Sequence, residues 1–167
     1  MIKIDKNTSS FSTYSCQPKT KDELIEIINK RIIKEGSKCD LNDIDVSLIE
    51  DMSYLFSFSN FSGDISKWNV SNVKDMSEMF SYSTFNKPIG NWNVSNVKDM
   101  SYMFDNSKFN KDISNWDVSN VKNMCGMFQK SKFNKNISKW NINKDCDTID
   151  MINECYIKEE YKPKLPR

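Results

Sequence analysis

Tryptophan stands at Trp68, Trp92, Trp116 and Trp140, always 24 residues apart, and the residues around it recur with it. The copies at Trp68, Trp92 and Trp116 run Trp-Asn/Asp-Val-Ser-Asn-Val-Lys-Asp/Asn-Met, then a Met-Phe pair, then Phe-Asn and Ile. A period of this length makes each copy one supersecondary unit that buries its apolar side only against its neighbours. An earlier, weaker copy begins near Ile44, where Val46, Ser47, Ile49, Asp51, Met52, Leu55 and Phe56 match Val70, Ser71, Val73, Asp75, Met76, Met79 and Phe80. The copy that begins at Trp140 decays, keeping Ile149, Met151 and Ile152, as a terminal unit exposed on one side should.

Within a unit, Trp68 and Val70 alternate as on a short strand, whereas Val73, Met76, Met79 and Phe80 follow a helical spacing. Each unit is expected to be a short strand plus one or two helical turns. Residues 20–43 read as an N-terminal capping helix and loop. Thr20 with Glu23 forms a capping box, Leu24, Ile27, Ile28 and Ile32 make one apolar face, and Gly36 supplies the stop. The expected organisation is a polar arm at 1–19, the capping element at 20–43, and repeats over 44–155 with units starting near 44, 68, 92, 116 and 140. A tail at 156–167, carrying Pro163 and Pro166, reads as frayed.

The recurring Ile-Ser-Asn/Lys-Trp-Asn/Asp-Val-Ser-Asn-Val-Lys-Asp/Asn-Met, with its Met-Phe pair, is seen in Ile113 to Phe128. This pattern resembles the BspA-like leucine-rich-repeat surface proteins, in the mycoplasma lipoprotein type of repeat of unknown function. The resemblance covers about residues 41 to 155 and implies an α/β repeat: a right-handed, leucine-rich-repeat-like solenoid used for binding, often at a bacterial surface. It supplies no catalytic residues.

Chemistry is constrained by what the chain lacks. Without histidine, the commonest general base and every Ser-His or Cys-His pair are missing. The four glycines form neither GxGxxG nor a P-loop. Five cysteines, Cys16, Cys39, Cys125, Cys146 and Cys155, share no repeat position and no CxxC spacing, so neither a disulfide framework nor a zinc site is indicated. The expectation is a non-enzymatic protein with no catalytic residues, no metal and no small-molecule cofactor. Asp51, Asp75 and Asp99 read as caps or a solvated ladder, and the Met76, Met79, Met100, Met103, Met124 and Met127 series as core. The tryptophans read as packing before they read as a stacking platform.

Lysine and arginine number 24 against 23 acids, so no bulk field attracts nucleic acid. The ladders Lys74, Lys98, Lys122 and Lys87, Lys111, Lys135 make nucleic acid only a minor alternative. No run reaches the roughly 18 apolar residues of a membrane span, and residues 1–10 lack the apolar stretch of a signal peptide. The chain as it stands is expected in the cytoplasm, without membrane insertion, and at the cell surface only if a leader was removed.

In a repeat array, specificity resides where copies differ. The site two after the first Met varies as Tyr54, Glu78, Tyr102 and Gly126, and the one two after Phe80 as Phe58, Tyr82, Asn106 and Lys130. The flanking site reads Ser57, Ser81, Asp105 and Gln129. Tyr54, Phe58, Glu78, Tyr82, Tyr102 and Asp105 are therefore the candidate partner-binding residues, with a protein as the expected partner. Adhesion or host interaction is the setting the resemblance implies. Inhibition of a bacterial enzyme, as an immunity protein does, is the alternative.

Overall fold

The computed structural model describes residues 14–166. Most of the expected polar arm, residues 1–13, lies outside that range. Residues 15–17 run beside the first repeat: Ser15 N–H donates to the Asp43 carbonyl, Asp45 N–H donates to the Cys16 carbonyl, and Cys16 pairs in parallel with Ile44.

Helix α1 (Lys21–Glu35) starts at Thr20, whose hydroxyl accepts from Glu23 N–H at 3.2 Å, while the Glu23 carboxylate reaches back to Lys19 N–H at 2.7 Å. It ends at Gly36, whose φ of 85° is open to glycine and whose N–H donates to the Ile32 carbonyl. Leu24 and Ile28 are buried and join the same apolar cluster as the repeats, with Ile27 and Ile32 packed against it. Arg31 donates to both Asp43 oxygens and to the Asp40 carbonyl, and Lys21 pairs with Asp51, so both ends of the helix are tied to the layer beneath it.

After α1, the only other helical element among the described residues is a short 3-10 turn, Glu159–Tyr161, and no β-sheet forms. The expectation of an α/β repeat, a right-handed leucine-rich-repeat-like solenoid of strand-plus-helix units, is therefore corrected. The apolar spacing Val73, Met76, Met79, Phe80 does face the core, but through overlapping turns. Glu78 and Tyr82 both lie at a φ of 52°, in the left-handed region, which no α-helix passes through. The N–H groups of Met76, Glu78, Phe80 and Tyr82 point to carbonyls of the next unit, at Asp99, Ser101, Met103 and Asp105, and not to residues four back. Two left-handed residues four positions apart in each unit also keep this stretch from being extended, so pairing survives only as isolated parallel bridges, Asp51 to Asp75, Asp75 to Asp99, Asp99 to Asn123 and Asn123 to Asp147.

Side chains make the corners of each unit. In the copy beginning at Trp92, the side-chain oxygens of Asn93, Asp99, Ser107 and Asp112 accept from the N–H two residues on, at Ser95, Ser101, Phe109 and Ser114. Such Asx and hydroxyl turns satisfy backbone donors locally and bend the chain without glycine. Successive units then lie on one another in exact register. Phe80 stacks on Phe56 and on Phe104 at 5.6 Å, Phe104 on Phe128 at the same distance, and Phe85 on Phe109 at 6.4 Å, all nearly parallel. Each buried tryptophan donates its Nε1–H to a carbonyl 27 residues earlier, Trp68 to Leu41, Trp92 to Ile65, Trp116 to Ile89 and Trp140 to Ile113. The indole polar atom is thus satisfied inside the core.

At the far end the chain is docked where the sequence reads as frayed. Ile157 and Pro163 are buried, Ile137 N–H donates to the Tyr161 carbonyl, and Lys132 lies 3.9 Å from the centre of the Tyr156 ring. These contacts cover the last units.

Candidate functional site: a left-handed edge

The residues that vary between copies occupy a distinct backbone geometry. Tyr54, Glu78, Tyr102, Gly126 and Asp150 form one column with φ between 52° and 60°. Phe58, Tyr82, Asn106, Lys130 and Glu154 form a second, with φ between 47° and 53°. A non-glycine residue there costs of order 1 to 2 kcal/mol. The cost is offset because, in every layer but the last, these N–H groups bond the next layer: Tyr54 to Ser77, Glu78 to Ser101, Phe58 to Ser81 and Tyr82 to Asp105, each at 2.8 or 2.9 Å. The backbone demands that conformation in every unit, while the side chain is left to vary.

Within the columns, neighbours one layer apart touch. Phe58, 74% exposed, stacks on Tyr82, 46% exposed, with ring centres 4.8 Å apart. Tyr54 is 56% exposed, and a hydrogen bond to the Glu78 carboxylate is the main cause that pushes its phenol above the usual tyrosine range. Lys21 of α1 lies 6.0 Å from the same ring. Tyr102 is only partly exposed because it lies down on Gly126: a Cβ there would sit 2.3 Å from its ring. Its hydroxyl accepts from the Cys125 thiol at 3.4 Å.

Asp105 does not belong to this edge. It is 8% exposed, and its Oδ1 is buried without a hydrogen-bond partner. Burial is the main cause that pushes its carboxyl above the usual range, opposed by Lys130 and reinforced by Glu78. Ser81, its equivalent in the preceding unit, is also buried, whereas Ser57 and Gln129 of the same column are half-buried. Variation between copies cannot separate an outward position from an inward one that tolerates several polar groups.

Other sequence candidates fall into structural places. Asp75 and Asp99 each accept from the N–H and hydroxyl of the serine two residues on, so they are corner residues of the turns. Lys74 pairs with Glu50 at 2.7 Å. The methionines of the series are buried. Burial pushes the Cys146 thiol up to about 11, with Asp147 adding to the effect. No helix among the described residues is long and apolar enough to cross a membrane.

Residues 29–108 and again 82–161 match the family described as Mycoplasma protein of unknown function, DUF285, and together the two matches run through all the units. The chain belongs to that family. The family's description carries no activity, so the left-handed edge has to be interpreted from its own chemistry. No curated protein and no solved structure matches the chain significantly. Membership does not rescue the resemblance to BspA-like leucine-rich-repeat surface proteins, because units built of turns, with no sheet and no helix of their own, are not leucine-rich-repeat units.

Proposed function

We propose that this chain is a non-enzymatic binding module that recognises a protein partner through the left-handed edge formed by Tyr54, Phe58, Glu78 and Tyr82. The observation that carries this reading is the exposed, mutually stacked pair Phe58 and Tyr82, held on a backbone whose every second N–H is tied to the next layer. Large aromatic side chains at rigid positions lose little freedom on docking and make effective anchors. Glu78, one layer from Tyr54 in the same column, adds a negative charge that sets register against a basic group.

The test is site-specific photocrosslinking in the native host with a benzophenone amino acid in place of Phe58, compared with the same probe at Asn115 on another face. A single protein crosslinked from position 58 and not from 115 is expected. Replacing Tyr54, Phe58 and Tyr82 together by serine should abolish its binding to the otherwise unmodified protein while shifting unfolding by less than about 1 kcal/mol. Binding that survives the triple replacement would remove the edge from consideration, and nucleic acid in the crosslink would replace a protein partner with a different class.

A further inference from the structure

A second face of the molecule carries unspent hydrogen-bonding capacity. Two adjoining hollows, of about 500 and 490 Å³, share Lys111, Asp112 and Ser114 and make one open groove across successive layers, closed at one end by Tyr161. One wall is an asparagine ladder. Asn86 Oδ1 accepts from Asn110 N–H, Asn110 Oδ1 from Asn134 N–H, and Asn134 Oδ1 from Lys158 N–H, at 2.9, 2.9 and 3.1 Å. With each Oδ1 committed to the backbone of the next layer, the amide orientation is set and the Nδ2 donors are left over, one per layer.

We propose that this groove binds an acidic polysaccharide carrying one carboxylate per sugar, with Lys111 and Lys135 pairing to successive carboxylates and the Asn110 and Asn134 amides donating to hydroxyls. Hydrogen-bonded layers are about 4.8 Å apart, close to the length of one pyranose residue, so equivalent groups meet equivalent sugars. Lys111 and Lys135 stand one layer apart, and neither makes an ion pair among the described residues. Asp112 is the acceptor in the set. Its Oδ1 takes the Ser114 N–H at 2.9 Å, and that bond is the main cause that holds the carboxyl below its usual range, so it is ionised at neutral pH and open to a sugar hydroxyl. The groove has one aromatic ring, Tyr161, where a base-stacking channel has several, which weighs against a nucleic acid.

Titration calorimetry of the full chain at low salt tests this with three probes: an oligogalacturonate, its neutral methyl ester, and oligothymidylate of equal charge. The oligogalacturonate should bind, the ester should bind at least roughly tenfold more weakly, and the double replacement Lys111→Gln with Lys135→Gln should lose roughly tenfold in affinity without moving the unfolding midpoint. Replacing Phe58 and Tyr82 by serine should leave this binding intact, which separates it from the protein-binding edge. Absence of binding to oligogalacturonate, equal binding of the neutral ester, equal binding by the lysine double variant, tighter binding of oligothymidylate, or loss on the Phe58 and Tyr82 replacements would each overturn the proposal.

Discussion

Trp92 shows how a single residue joins sequence periodicity to stability. Its ring is buried, faces Phe80 at 6.4 Å, and spends its one donor on the Ile65 carbonyl. Trp92→Ala should therefore cost about 3 to 5 kcal/mol in a urea unfolding experiment, through the cavity and the orphaned carbonyl together. Asp105 is the opposite case, a residue the fold tolerates at a cost. Its raised pKa means the folded state resists ionisation, so stability is lost as pH rises from the unfolded carboxyl range towards the folded pKa, and is recovered on acidification. Asp105→Ser, which restores the residue found one layer earlier at Ser81, should stabilise the protein by about 1 kcal/mol at pH 7. That gain should shrink as unfolding is measured at pH values falling towards 4.

At the scale of elements, α1 was readable because its signals are local. Thr20, Glu23, the apolar face and Gly36 all act within one or two turns, and the structure places the helix at Lys21–Glu35. What holds it in place is tertiary. Arg31 sits against Asp43 at 2.9 Å, and the Asp43 carboxyl is held below its usual range, foremost by the Ser15 hydroxyl and also by Arg31 against the pull of desolvation. A depressed carboxyl contributes stability above its unfolded pKa and loses it as pH falls through the folded value. Arg31→Ala should thus destabilise the protein by about 1 kcal/mol at neutral pH, and amide exchange of α1 should rise more than that of the central layers. The turn segments depart from the strand-plus-helix expectation for an equally physical reason. A 3, 3, 4 apolar spacing states which side chains face inward and is silent on whether the intervening N–H groups bond within the segment or to the next layer.

Over the whole molecule, order comes from identical residues meeting at a fixed step. The phenylalanine stacks, the indole-to-carbonyl bonds and the asparagine ladder all require that residue i lie over residue i+24. Deleting residues 92–115, one whole unit, should preserve cooperative unfolding with a smaller denaturant slope, since less surface is exposed. Deleting residues 92–103 should instead split or broaden the transition, because the leftover half-unit 104–115 puts the layers before it out of register with those after it.

Read alone, the sequence determined the period, the buried identity of the tryptophans, methionines and repeated phenylalanines, and the capping signals of α1, because these depend on composition at fixed spacing or on contacts a few residues long. The tertiary structure decided three things. The N–H groups of Met76, Glu78, Phe80 and Tyr82 bond to the next unit, which replaces strand and helix with turns and isolated bridges. Asp105 and Ser81 are buried while Tyr54, Phe58 and Tyr82 are exposed. Asn110 and Asn134 have their oxygens committed to the backbone, leaving a row of donors along a groove. Each depends on a partner about 24 residues away, and hydrogen-bond direction between layers is a property of three-dimensional register that no local pattern encodes.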